Sequence, residues 1–241
     1  MNSSFLKDLA EYIVELSKNK TYEIDGETYS DKPLHRIEPY VPRPETLIVT
    51  GLDSIVELVQ AEMERFNLPV FVSIEGPREV AVITTLDHDM NRDIPFRAVC
   101  DVPGFCEGFR EYDEALIELR SKFIPGEDVD YILSLISRIN RENGVTTMDN
   151  GVSQSVEART GISLKQMVNV RPRVKLAPYR TFLEVPQPES EFILRLNEDG
   201  EVGLFEADGG MWKMEAKKNI YDYFRNAFPT EIIAGGVIVM M

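Results

Sequence analysis

The chain has 241 residues, 43% of them hydrophobic, and a net charge of −15 from 41 acidic against 26 basic side chains. This composition excludes intrinsic disorder and provides for a sizeable core in one or two domains. It argues against nucleic-acid binding over the whole surface, because phosphate contacts need clustered cations.

The N-terminal stretch reads as a helix from Ser3 or Ser4 to about Ser17. Phe5, Leu9, Tyr12, Ile13 and Leu16 recur at helical spacing, a stripe suited to a core or to an oligomer contact. Acids at Asp8, Glu11 and Glu15 deny it a signal-peptide layout. No apolar run approaches the ~20 residues that span a bilayer, so a cytoplasmic protein that avoids membranes is expected. Thr21 to Tyr29 resembles a hairpin turning at Asp25-Gly26. Four prolines (Pro33, Pro39, Pro42 and Pro44) then predict an irregular, extended segment around His35.

Thr46 to Val49 reads as a short strand. A capping-box variant at Thr50-Gly51-Leu52-Asp53 opens a helix to about Phe66. Three strands follow, Pro69 to Ile74, Glu79 to Leu86 and Ile94 to Val102, the first two antiparallel around Glu75-Gly76-Pro77-Arg78. Asp87-His88-Asp89 is a weak candidate for a divalent cation. Three adjacent residues rarely converge on one ion, and no calcium-loop glycine frames them. Cys100 and Cys106 are too few for a disulfide framework, and with only His35 and His88 they make no zinc pattern. Gly104 to Glu111 predicts a turn or short helix. Ala115 to Phe123 fits strand or helix. Pro125 starts a helix to about Asn143, and Val145 to Thr160 reads as a polar hairpin around Asp149-Asn150-Gly151.

From Ala158 to Leu183 there is no acid and there are six cations: Arg159, Lys165, Arg171, Arg173, Lys175 and Arg180. The acid is concentrated earlier. Residues 1–150 hold 29 acids and 15 bases, net −14, whereas residues 151–241 hold 12 and 11, net −1. Within Val170 to Leu176 the residues alternate, which predicts one strand with Arg171, Arg173 and Lys175 on a single cationic face. Glu191 to Leu196 and Glu201 to Glu206 complete an antiparallel meander around the turn Asn197-Glu198-Asp199-Gly200. Val185 to Glu189, with Pro186 and Pro188, should be edge or loop. Trp212 to Met214 predicts a further strand and Ala216 to Phe228 a last helix. The apolar tail EIIAGGVIVMM must be covered, by its own chain or by a neighbouring subunit.

These elements add up to an α+β protein, a mostly antiparallel sheet with flanking helices in a single compact domain. Residues 46–241 form the body. Residues 1–45, comprising helix, hairpin and proline-rich segment, are expected to pack on it.

Two strings carry a resemblance. Ala177-Pro178-Tyr179-Arg180-Thr181-Phe182, and Phe205-Glu206-Ala207-Asp208-Gly209-Gly210 followed by Trp212, resemble proteins of tailed phages and prophages of Gram-positive bacteria, a domain family of unknown function. The likeness covers roughly residues 110–225. It implies a protein made in the cytoplasm of an infected or lysogenic host cell, and it brings no catalytic residues with it. Physically, Tyr179, Phe182 and Trp212 suit an aromatic cluster, Arg180 suits a pair with Glu206 or Asp208, and the glycine pair suits a turn.

No nucleophile elbow, phosphate-cradling loop or zinc-binding helix is present, and no cofactor is expected. The leading expectation is a non-enzymatic, homo-oligomeric accessory protein that binds host or phage macromolecules, for instance a host defence or replication protein. Its anion- or partner-binding residues would be Arg171, Arg173, Lys175 and Arg180, and a ligand pocket would involve Glu206, Asp208 and Trp212. Alternatives are a nucleic-acid-binding accessory using the same cations, and a nucleotide-sequestering protein or hydrolase with its pocket near Asp87 or Trp212.

Overall fold

The computed structural model describes residues 3–24, 27–30, 32, 43, 45–66, 69–88, 90–138, 147–149, 154–160 and 164–241. They fall into two units, Met1–Arg43 and Pro44–Met241. His35 and the proline-rich segment around it lie outside the described residues, as does the tip of the Asp149-Asn150-Gly151 hairpin beyond Asp149.

The first unit holds α1 (Ser3–Ser17) and an antiparallel hairpin, β1 (Thr21–Ile24) with β2 (Glu27–Ser30), in which Tyr22 faces Tyr29 across the ladder. The last carbonyls of α1 find a donor within the unit: Lys32 Nζ reaches Leu16 O at 3.2 Å and Ser17 O at 2.7 Å. A cation at a helix C-terminus also meets the negative end of its dipole.

The second unit opens with β3 (Leu47–Val49) and α2 (Leu52–Glu62), which ends in a 3-10 turn at Met63–Arg65. Next come β4 (Val70–Gly76), β5 (Glu79–Ile83), β6 (Phe96–Val99), β7 (Gly108–Arg110), α3 (Tyr112–Ser121) and α4 (Glu127–Arg138). Strands β8 (Thr147–Asp149), β9 (Gln154–Thr160), β10 (Leu164–Val170), β11 (Arg173–Leu176), β12 (Ser190–Leu196) and β13 (Val202–Glu206) follow. The chain ends in α5 (Trp212–Ala227), α6 (Pro229–Ile233) and β14 (Val237–Met240).

These strands build three sheets. One has the order β14-β4-β5-β6-β3, antiparallel in the middle and parallel at both edges. Its apolar face, with Val70, Val72, Val80 and Val82, packs with Ile55 and Val59 of α2 and Ile220 and Phe224 of α5. The second, β11-β12-β13-β7, is antiparallel and shares a core with Leu119 of α3 and Ile132 and Ile136 of α4. The third, β10-β9-β8, joins that core through Val156 and Val170, and the buried Gln154 amide exchanges two hydrogen bonds with the backbone of Leu196. The architecture is thus α+β with mostly antiparallel pairing.

Several local expectations change. The run Val170 to Leu176 is not one strand. It breaks at Arg171-Pro172, with Val170 ending β10 in one sheet and Arg173 starting β11 in another, because proline has no amide to continue the ladder. Gly104 to Glu111 contains strand β7, paired with β13, rather than a short helix. Ala115 to Ser121 is helical, with Asp113 and Glu114 in the first turn. Trp212 to Met214 is the first turn of α5 and not a strand. The tail is covered only in part by its own chain: β14 runs parallel to β4 with Val237 buried, while Ile233, Ile238, Met240 and Met241 stay exposed. At α2 the expected capping box gives way to a distant group. Gly51 makes no side-chain cap, and the Leu52 amide donates to Glu184 Oε1 at 2.7 Å.

Candidate functional site

The segment Ala177–Phe182 joins the two main cores. Tyr179 N donates to Lys122 O and Ile124 N to Ala177 O, which fastens the segment to the end of α3. Thr181 Oγ1 donates to Pro77 O in the β4–β5 turn, and Phe182, 1% exposed, enters the core of the five-stranded sheet. Between them Arg180 points into the protein, 4% exposed. A buried guanidinium must have partners, and this one has several. Its Nη1 donates to Glu206 Oε1 at 2.6 Å, its Nη2 to Pro188 O at 3.0 Å and to Ser190 Oγ, and its carbon lies 4.2 Å from the centroid of the Trp212 ring. Burial pulls the guanidinium below its usual basicity, and the charges of Glu206 and Asp208 oppose that pull.

Asp208 occupies the other end of the cluster. Its Oδ2 accepts from Ser190 Oγ at 2.6 Å and from the Trp212 amide at 3.2 Å, while Oδ1 accepts from the Gly210 amide at 2.9 Å. Gly209 and Gly210 have φ of +64° and +80°, the left-handed turn that swings the chain from β13 into α5. Burial pushes the Asp208 carboxyl up. The hydrogen bonds from Ser190 and the two amides, together with Arg180, outweigh that and hold it below the usual carboxylate range.

The four residues singled out from sequence, Arg180, Glu206, Asp208 and Trp212, are therefore brought together, although 32 positions separate Arg180 from Trp212 in the chain. The three aromatics take separate roles. Phe182 is core, Trp212 stacks under Arg180, and Tyr179 lines a different cleft with Val102, Lys122 and Leu183. Beside the cluster opens a cleft of about 390 Å³, lined by Lys175, Glu189, Glu191, Trp212, Met214 and Glu215 among others. Met211 and Met214 on its wall are 75% and 62% exposed.

The cationic stripe is arranged differently from the sequence expectation. Arg171 lies in the break between strands, its Nη1 3.0 Å from Asp128 Oδ1 and its guanidinium 4.3 Å from the centroid of the Tyr131 ring. Arg173 and Lys175 do share the outer face of β11, while Val174 and Leu176 point inward. Arg173 pairs with Glu191 at 2.7 Å and Lys175 with Glu189 at 3.8 Å. Each cation thus meets an acid of its own chain. Sequence reasoning missed these acids because Asp128 precedes Arg171 by 43 residues and no local pattern links them.

Asp87 closes a turn, accepting the Asn91 amide at 2.8 Å, and Met90 there has φ of +62°. Asp89 lies outside the described residues. Among the described residues no three His, Cys, Asp or Glu side chains converge to hold a metal ion. Asp87 lines a cleft of about 460 Å³ with Glu45, Glu62, Asp93, Arg65 and Phe66. No helix among the described residues is long and apolar enough to cross a membrane. Comparisons with protein-family models, with curated proteins and with solved structures return no match.

Proposed function

We propose that this chain is a non-enzymatic binding protein whose second unit docks a polypeptide segment at the Trp212–Met214 cleft. The observation that carries this reading is the composition of the cleft. Two largely exposed methionines flank a tryptophan that is held rigid from behind by Arg180. Methionine adapts to irregular apolar partners, and a fixed aromatic provides an anchor at low entropic cost. Apart from the buried Arg180 Nε, the polar atoms of the neighbouring cluster are engaged with one another, which favours a supporting framework over a reacting centre.

The charges around the cleft favour protein over nucleic acid. On its wall Lys175 pairs with Glu189, and the lining acid Glu191 pairs with Arg173, a mixed charge pattern of the kind that sets register between proteins. A phosphate backbone would meet those carboxylates too. The cleft itself holds one cation, Lys175, against Glu189, Glu191, Asp208 and Glu215. Its partner segment would carry an apolar anchor flanked by Lys or Arg. The cleft near Asp87 suits a nucleotide poorly, since four carboxylates face one arginine. The resemblance to tailed-phage proteins supports a setting in an infected or lysogenic host cell, with a host or phage protein as the target.

The test is selection from a random peptide display library on the immobilised full chain. Enrichment of apolar-plus-basic peptides that bind wild type but not Met214→Glu is the expected result. No enrichment, or peptides indifferent to Met214→Glu and Met211→Glu, would overturn the reading. In parallel, labelled single- and double-stranded oligonucleotides at low salt should show no salt-sensitive binding.

A further inference from the structure

In the first unit every residue from Leu6 through Ile24 is exposed. Leu6, Leu9, Ile13 and Leu16 are 54%, 44%, 57% and 56% exposed. Their spacing of three, four and three residues is the two-heptad seam of a helix that packs on another helix. The hairpin adds Tyr22, Ile24 and Tyr29 on one of its faces, each half exposed. Monomers seldom leave such a surface bare. Met1–Arg43 is moreover close to the ~40-residue size below which a chain needs a staple or a partner.

We infer that this unit is a self-association module, in which the apolar seam of α1 packs against the same seam of a second copy of the chain. Charge placement identifies the occupant. The charged residues of α1, Lys7, Asp8, Glu11 and Glu15, all lie off the seam, and the positions flanking it, Ala10, Tyr12 and Ser17, are uncharged. An interface between identical copies sets each patch against itself, and in a chain of net −15 an uncharged patch avoids self-repulsion. A lipid surface fits less well. The polar face of α1 carries one cation against three acids, whereas interfacial helices carry Lys and Arg there. The area is also adequate: at about 100 Å² from each half-exposed large side chain, the four seam residues and Tyr12 supply roughly 500 Å² per copy, or roughly 1,000 Å² in total, the size that a specific interface must clear. This module is independent of the Trp212–Met214 cleft.

The experiment is light scattering after size exclusion on the full chain across micromolar concentrations. Wild type should elute at twice the 27.5 kDa chain mass. Leu9→Glu and Ile13→Glu should elute as single chains at the same loading, and Glu11→Lys, on the polar face, should remain a dimer. Trp212 fluorescence and the melting profile verify that the second unit of each variant is folded. A wild type of single-chain mass throughout overturns the inference, as does a dimer that survives both seam substitutions. Single chains that float with phosphatidylglycerol vesicles would assign the seam to lipid instead and equally overturn it.

Discussion

Arg180 and Trp212 grip the same carboxylate. Arg180 Nη1 donates to Glu206 Oε1 at 2.6 Å, Trp212 Nε1 donates to Glu206 Oε2 at 3.2 Å, and the guanidinium lies 4.2 Å from the indole centroid. The fork geometry of arginine allows this. A lysine ammonium could replace the charge but not the simultaneous contacts with Glu206, Ser190 and Pro188 O. Arg180→Ala should cost about 3 kcal/mol, because it strands a partly buried carboxylate beside an emptied cavity. Arg180→Lys should lose less but remain well below wild type. Urea unfolding measures both. An Arg180→Ala midpoint equal to wild type would show that the network contributes nothing to stability.

Glu184 closes the N-terminus of α2 from a remote part of the chain, and the close approach depends on Gly51. A Cβ at position 51 would sit 2.7 Å from Glu184 Oε1. Glu184→Ala should cost about 1 kcal/mol, the usual size of a lost cap at the positive end of a helix. Gly51→Ala should cost a similar amount by displacing the same carboxylate. The double variant should then be scarcely worse than either alone, since both remove one interaction. Strictly additive losses in chemical denaturation would mean that the two residues act separately.

Tyr223 donates its hydroxyl proton to Asp53 Oδ1, which links α5 to α2. Burial, then the bond to Asp53 and its charge, raise the phenol above its ordinary value. The folded protein therefore retains this proton to higher pH than the unfolded chain does. The associated stability is complete below the unfolded tyrosine value of about 10 and falls as pH rises beyond it. Melting temperatures of wild type and Tyr223→Phe should differ at pH 8 and converge through about pH 11. A gap that stays constant with pH would rule out this linkage.

Secondary structure was most legible where the pattern is local. Helical spacing located α1, α4 and the body of α5, and Asn197-Glu198-Asp199-Gly200 marked its turn, with Gly200 at φ +81°. Errors gathered where two signals competed. The alternation of Val170 to Leu176 looked like one strand, but the missing amide of Pro172 broke it between two sheets. Trp212 to Met214 looked like a strand by composition, yet Asp208 and the glycine turn before it launch a helix.

The candidate site divides the same way. Arg180, Glu206, Asp208 and Trp212 were recognisable as residue types suited to pairing, and they do meet. Ser190, which receives Arg180 and passes its own proton toward Asp208, carried no mark of that role.

Composition and periodicity alone were enough for an α+β chain, an amphipathic first helix, and a late cationic stretch in an otherwise acidic protein. Those properties depend on residue type and short spacing, which a linear reading contains. Only the folded chain could show that Asp128, Glu189 and Glu191 pair with the stretch's Arg171, Lys175 and Arg173, or that Glu184 caps a helix 132 residues earlier. Charge pairing and capping act over a few ångströms, and which side chains come that close is decided by how sheets and helices pack.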